Sequence, residues 1–206
     1  MKLSPKTLLR SLACGLTVAA SAACQATPPE TALSQATSPE EFFQKLYELS
    51  QPGPEHARLA ELVGTFDADV TVWTTPEDPP TRSKDRIENR WILGRRYVLG
   101  EYTGSFMDQP IEGLFILGFD RSRELYFSTW ADTTSTWFMP FSHGQLRGDT
   151  IVLERDMYDP MLGGMTRVRE MIVLETPDRH RYELSYTQPD GREVTSKRII
   201  YTRVSA

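Results

Sequence analysis

Residues Thr65 to Val72 read Thr-Phe-Asp-Ala-Asp-Val-Thr-Val, and this stretch decides the fold. Apolar side chains at Phe66, Ala68 and Val70 alternate with polar ones, which is typical of a β-strand with one buried face. Similar runs recur along the rest of the chain, with turns rich in Gly, Pro and Asp between them. The predicted strands cover roughly 65–75, 83–93, 96–105, 111–119, 124–131, 135–142, 149–156, 166–175, 180–188 and 193–203.

About ten strands with no helix between them indicate an antiparallel up-and-down meander. A twisted open sheet of that size tends to curl, and closure removes the exposed edges that invite aggregation. The sequence therefore predicts an all-β protein, an antiparallel up-and-down β-barrel of about ten strands preceded by one or two short N-terminal helices.

The helix signals come just before the first strand. Ser38 is a predicted N-cap, Pro39 takes the first helical position and Glu41 completes a capping box. A second short helix is predicted from 54 to 64. We expect the apolar stripe of the first helix to pack on the barrel; it comprises Phe42, Phe43, Leu46 and Leu49.

The first 23 residues have the layout of a secretory signal peptide. Lys2, Lys6 and Arg10 precede a short apolar stretch over 11–23, which ends in small residues. The stretch is too short for a membrane-spanning helix. We therefore expect an exported protein of the bacterial cell envelope.

Two cleavage patterns compete at the end of this segment. Ser21-Ala22-Ala23-Cys24 resembles a bacterial lipobox, in which Cys24 becomes the lipidated N-terminus and anchors the protein to the membrane. Ordinary cleavage near Ala23 would instead release a periplasmic or secreted chain. In either case we expect 24–37 to be a disordered linker and 38–206 to form the helix-capped barrel domain.

Composition excludes several classes of protein. The 206 residues suit one domain, and removing the predicted signal peptide takes away three cations and moves the net charge from −5 to −8. An acidic surface disfavours binding of nucleic acid and anionic lipid, so we expect membrane contact only through the lipid on Cys24.

The mature domain has no Cys beyond Cys24, and His56, His143 and His180 lack metal-ligand spacing, so no metal site is predicted. No phosphate loop, dinucleotide fingerprint or nucleophile elbow occurs, and no cofactor is predicted.

Six segments together resemble a bacterial domain-of-unknown-function family of exported, calycin-like β-barrels, which are related in shape to lipocalins. Phe66 stands where lipocalins carry a Trp, and Arg95 stands where the family carries the second Gly of a Gly-Gly-Arg turn. The resemblance implies the fold and assigns no activity. The matching segments are 53–56, 62–66, 89–95, 118–120, 126–132 and 201–203.

Aromatic and ionisable residues on the predicted inner faces are the candidate ligand-binding residues. Tyr126, Trp130 and Asp132 share one strand face, and a buried charge there must be paired or used. Glu170 and Arg198 lie on other predicted inner faces, where they pair with each other, are turned to solvent by a strand bulge, or anchor a ligand. The candidates are Trp91, Arg95, Tyr126, Trp130, Asp132, Glu170 and Arg198.

Three functions remain open from the sequence. The favoured hypothesis is a barrel that binds a small apolar or amphipathic ligand. The second is an envelope enzyme in which Asp132 or Glu170 acts as a general base beside Arg198 or Arg95, although no catalytic residue is assigned. The third is a structural or interaction protein with a filled barrel and no ligand. The oligomeric state is left open.

Overall fold

The computed structural model describes residues 38–160, 163–188 and 190–205. The predicted signal peptide, Cys24 and the predicted linker over 24–37 lie outside the described residues. Two α-helices, a short 3₁₀ helix and ten strands are described. They are α1 (Pro39–Ser50), α2 (Glu55–Leu59), the 3₁₀ helix (Ala60–Leu62), β1 (Gly64–Val72), β2 (Thr81–Ile92), β3 (Tyr97–Phe106), β4 (Gln109–Asp120), β5 (Leu125–Asp132), β6 (Ser142–Arg147), β7 (Thr150–Asp159), β8 (Gly164–Thr176), β9 (Arg179–Thr187) and β10 (Glu193–Arg203).

The strands form one closed barrel, which confirms the predicted fold class. Each strand pairs antiparallel with the next in sequence, and β1 closes the sheet by pairing with β10. Phe66 lies opposite Arg203 in this closing pair, and Val72 lies opposite Lys197. Closure leaves no free edge among the described strands.

The period of two in β1 separates the interior from the surface as predicted. Phe66, Ala68 and Val70 are buried inside the barrel, whereas Asp67 and Asp69 are exposed on its outer wall. The hydrophobic effect therefore sets which face of β1 turns inward.

One end of the barrel is closed by α2 and the 3₁₀ helix. Leu59 and Leu62 are fully buried there, and the side chain of Asn89 donates a 2.8 Å hydrogen bond to the carbonyl of Leu62. The apolar cluster beneath the two helices also contains Val98, Leu117, Ile151, Leu153, Ile172 and Leu174. The other end of the barrel has no such cover among the described residues.

The prediction that the apolar stripe of α1 packs on the barrel is wrong. The Ser38 capping box forms as predicted, but α1 has no buried residue, and Phe42 and Phe43 are 55% and 65% exposed. Instead, Arg96 holds the end of the helix by donating a 2.8 Å hydrogen bond to the carbonyl of Ser50. Polar contacts to the last carbonyls attach the helix and leave its apolar face turned outward.

The sixth strand is also displaced from the predicted 135–142. The apolar run over 137–141 contains Pro140 and forms a loop, while the strand runs from Ser142 to Arg147. At Gly144 an added Cβ would lie only 1.8 Å from the carbonyl oxygen of Val152. Here glycine permits the close approach of β6 and β7, and the predicted turn at this position is in fact strand.

Arg203 connects the closed end to the closing strands. Its guanidinium lies over the Phe66 ring, 4.5 Å from the ring centroid. It donates hydrogen bonds of 2.7 Å to the carbonyl of Val63, 2.9 Å to that of Glu61 and 2.8 Å to that of Pro177. One side chain thus joins β10, β1, the 3₁₀ helix and the β8–β9 turn.

Replacing Arg203 with Met is expected to lower the free energy of unfolding by about 3 kcal/mol, because several carbonyls lose a charged donor. Urea unfolding measures the change. The matched control is Arg86→Met, since Arg86 forms only an exposed 3.5 Å ion pair with Asp67 and its loss should leave stability almost unchanged. Equal effects of the two substitutions would contradict the structural role of Arg203.

Candidate functional site

The barrel interior contains a cavity of about 740 Å³ that reaches the end opposite α2. Loops that follow β1, β3, β5, β7 and β9 surround its mouth. Its wall is largely apolar and aromatic. Side chains that line it include Val70, Ile87, Tyr102, Ile111, Phe115, Trp130, Tyr182 and Ile199.

Asp132 and Trp130 lie in the cavity wall at the end of β5. The Trp130 indole donates a 2.5 Å hydrogen bond to Asp132 Oδ2, and Thr134 donates its backbone N–H and its hydroxyl to Oδ1. Burial alone would raise the pKa of Asp132, but these hydrogen bonds and the charge of Lys197 hold it below the ordinary value. Asp132 is therefore an ionised, well-satisfied carboxylate.

Glu170 also lies inside the barrel, but its carboxylate is fully engaged. It forms an ion pair with Arg155 and accepts hydrogen bonds of 2.6 Å from Ser142 and 3.2 Å from Ser128. All four side chains are buried. This arrangement makes Glu170 a counter-ion and leaves it poorly placed to act as a general base.

Of the orientations considered for Arg198, the structure shows the one in which a strand bulge turns it to solvent, and not the inward one. A bulge at Ser196 shifts the register of β10, so that Lys197, Ile199 and Tyr201 face inward. Arg198 faces outward, where it pairs with Glu183 at 2.6 Å. The considered pairing of Glu170 with Arg198 therefore does not form.

Three other predicted ligand-binding residues lie at the closed end, outside the cavity lining. Trp91 packs against the closed-end cluster, and Arg95 lies over its ring at 5.6 Å from the centroid. The Tyr126 hydroxyl donates a 3.1 Å hydrogen bond to the carbonyl of Glu55. Arg95 has a φ of 64°, so it holds the left-handed conformation for which the family turn uses glycine.

Another buried acid, Asp85, lines the cavity and escaped the sequence reasoning. It accepts hydrogen bonds from the Tyr102 hydroxyl and from the backbone N–H of Ser105, the latter at 3.2 Å. Burial and the bond to Asp85 raise the pKa of Tyr102. Asp85 lies within a run of polar residues in β2, so no apolar alternation marked it as inward.

His180 is the cavity-lining histidine, and its ring is packed between two aromatic rings. It stacks on Tyr201 at 4.5 Å and meets Phe66 edge-on at 4.7 Å between centroids. Burial, assisted by the charge of Arg203, lowers the pKa of His180 to about 3. The ring is therefore neutral at physiological pH and acts as packing.

The described part of the chain contains neither a cluster of metal-ligating side chains nor a membrane-spanning helix. Across 38–160, 163–188 and 190–205, no three His, Cys, Asp or Glu side chains are grouped to hold a metal ion. Within the same ranges no helix is long and apolar enough to cross a membrane.

Comparison with known proteins places this barrel in a family. Residues 51–203 match a family described as "Protein of unknown function (DUF1579)". The chain belongs to this family. The match agrees with the resemblance that the sequence motifs indicated. No curated protein matches the sequence significantly.

Two solved structures resemble the DUF1579 barrel in fold. The S-type phycobiliprotein lyase CPES from Guillardia theta has a TM-score of 0.52 at 14% identity, and the match covers 75% of this chain and 99% of the lyase. Rv2717c from M. tuberculosis also has a TM-score of 0.52 at 14% identity, covering 75% of this chain and 100% of its own. At this identity the likeness establishes the calycin-like fold alone.

In the DUF1579 barrel, replacing Glu170 with Gln is expected to lower the free energy of unfolding by about 3 kcal/mol, because Arg155 loses its buried counter-ion. The double variant Arg155→Met, Glu170→Met should lose less free energy of unfolding than the sum of the losses in the single variants Arg155→Met and Glu170→Met, as measured by urea unfolding. Glu101→Gln, which removes an exposed 3.1 Å ion pair with Arg90, is the control. Strict additivity of the two inner substitutions would contradict the coupling.

Proposed function

We propose that this protein binds a small apolar or amphipathic molecule inside its barrel. The cavity is the observation that carries the proposal. Its volume of about 740 Å³ falls within the usual range for small-molecule sites, and within the described residues it opens at the end opposite α2. A barrel whose interior was filled by side chains could not bind a ligand in this way.

The arrangement of the wall supports an amphipathic occupant. Aliphatic and aromatic side chains form most of the surface, so an apolar body would gain free energy by leaving water. Asp132, Asp85 and Lys197 offer polar groups at separate points, which would orient a ligand that carries one polar head. Asp132 and Asp85 are held in place by partners in the wall, as expected of a preformed site.

An enzyme that uses an inner carboxylate as a base is less well supported. Glu170 is paired with Arg155, and Asp132 accepts three hydrogen bonds. Neither Arg198 nor Arg95 reaches the cavity lining. The geometry therefore fits ligand binding better than general-base catalysis, because the inner carboxylates are already engaged.

Ligand binding is tested with N-phenyl-1-naphthylamine, a neutral apolar dye that becomes fluorescent out of water. We expect saturable binding to the wild type and an affinity at least about tenfold weaker for Ile111→Trp, because Ile111 lines the cavity near its mouth. Glu112→Trp is the matched control, since the exposed Glu112 follows Ile111 on the outer wall. Thermal unfolding verifies that both variants fold. Absence of dye binding, or equal affinities of the two variants, would contradict the proposal.

The same proposal includes export to the cell envelope, supported by the signal-peptide pattern over 1–23 and the lipobox-like Cys24. Native mass spectrometry of the full chain, extracted with detergent from bacterial membranes, tests it. We expect a chain that starts at Cys24 and carries acyl groups, with any retained small molecule released on activation. Cys24→Ala should lose the acyl mass and leave the membrane fraction. An unprocessed chain in the cytosol would contradict export.

A further inference from the structure

The inner wall presents one primary amine, on Lys197. The bulge at Ser196 turns Lys197 into the cavity, where it lines the wall beside Asp132 and Asp85. The other two lysines within the described ranges are outside: Lys45 is exposed on α1, and Lys84 is 85% exposed and paired with Asp69. The cavity amine is thus distinct in its surroundings from the other two.

Lys197 has no direct partner among the described residues. No hydrogen bond or ion pair engages its Nζ atom there. The adjacent carboxylates have their own donors, since Asp132 accepts from Trp130 and Thr134 while Asp85 accepts from Tyr102 and Ser105. A desolvated ammonium without a hydrogen-bonding partner is costly, which favours either a bound partner or the neutral amine.

The electrostatic balance makes the neutral amine easier to form than on an exposed lysine. Burial lowers the pKa of Lys197; Asp132 and Asp85 oppose this, and the charge of Arg155 adds to it. A neutral amine is a nucleophile, and lysines in apolar surroundings form Schiff bases with carbonyl compounds.

The charged side chains that line the cavity favour a ligand whose polar head group is uncharged. Among the described residues, four carboxyl side chains line it, on Asp85, Asp132, Asp159 and Glu170. They outnumber the two cationic side chains, Arg155 and Lys197. A carboxylate head would therefore meet an excess of negative charge, whereas an uncharged carbonyl would not.

We propose that Lys197 is a covalent attachment site for an apolar aldehyde or ketone, which the barrel holds as an imine. This rests on the ligand-binding function proposed above and names the class of ligand. The amine nitrogen forms a bond to the carbonyl carbon, and the carbonyl oxygen leaves as water with the two amine protons. No oxidant or reductant is required. Uptake of one proton from water would give the protonated imine, for which Asp132 and Asp85 provide counter-charge.

The wall supports this chemistry beyond the amine itself. The rings of Tyr102 and Trp130 pack edge to face, with 5.5 Å between their centroids. Tyr102 is hydrogen-bonded to Asp85 and Trp130 to Asp132, so both acids are fixed on one side of the cavity. The apolar cluster that includes Val70, Ile87 and Ile199 offers a surface for the ligand body. A long-chain or aromatic carbonyl compound matches this combination.

The test uses 2-naphthaldehyde, with 2-naphthalenemethanol as the same skeleton without a carbonyl. Full-length protein is incubated with each near neutral pH, treated with sodium cyanoborohydride, and analysed by intact mass and peptide mapping. We expect one added naphthylmethyl group on Lys197 of the wild type with the aldehyde and none with the alcohol. Lys197→Met and Lys197→Arg should lose the adduct at least about tenfold, and Lys84→Met should retain it.

Binding of the dye N-phenyl-1-naphthylamine is measured in parallel, so that failures can be told apart. Both naphthalene compounds should displace the dye from the wild type and from the control Lys84→Met, and thermal unfolding verifies that the Lys197 variants fold. Dye binding without an adduct on Lys197, adducts spread equally over Lys45 and Lys84, or a Lys197→Arg variant that traps as well as the wild type would overturn the covalent site while leaving the binding function intact. Loss of dye binding by the folded wild type would overturn the binding function itself.

If 2-naphthoic acid displaces the dye better than the alcohol only when Lys197 is present, Lys197 is an ionic anchor and the imine proposal is wrong.

Discussion

The contact of the Arg203 guanidinium with the Phe66 ring supports the rest of the structure. It lies where β10 meets β1, the pairing that converts a ten-stranded meander into a barrel. The same guanidinium satisfies carbonyls of the 3₁₀ helix and of the β8–β9 turn, so it also positions the closed end. A planar cation with several fixed donors can make all these contacts at once, which a lysine could not. With one end held shut, the interior opens at the other.

Most of the cavity wall is apolar, but it contains a few charged side chains. Glu170 and Arg155 compensate each other, and Ser128 and Ser142 donate to the carboxylate, so Glu170 stabilises the wall without offering much reactivity. Lys197 differs because its neighbours are engaged elsewhere. Inside the cavity this difference is chemically important, since burial without a direct partner lowers the pKa of the Lys197 amine. Lys197 therefore differs from the other charged groups of the cavity in having no direct partner.

Much of the fold could be predicted because strand alternation is a local signal. The inward positions of Phe66, Ala68 and Val70 follow from a period of two alone. The sixth strand was misplaced because its identity depends on the close approach of Gly144 to β7, which no local pattern records. The stripe of α1 was expected to be buried because amphipathic helices usually cover a core. In this protein the two short helical turns after α1 already cover that end, and α1 is held through its terminal carbonyls.

The sequence by itself determined the class of fold, the family resemblance and the inward direction of most strands, because burial of apolar side chains acts on every second residue. It also placed Trp130, Asp132 and Glu170 on inner faces. Only the tertiary structure decided which of these groups are already satisfied, that Arg198 lies outside and that Lys197 lies within the cavity. A single-residue bulge reverses every side chain that follows it, and hydrogen-bond partners come from strands distant in sequence. Those relations exist only once the sheet has closed.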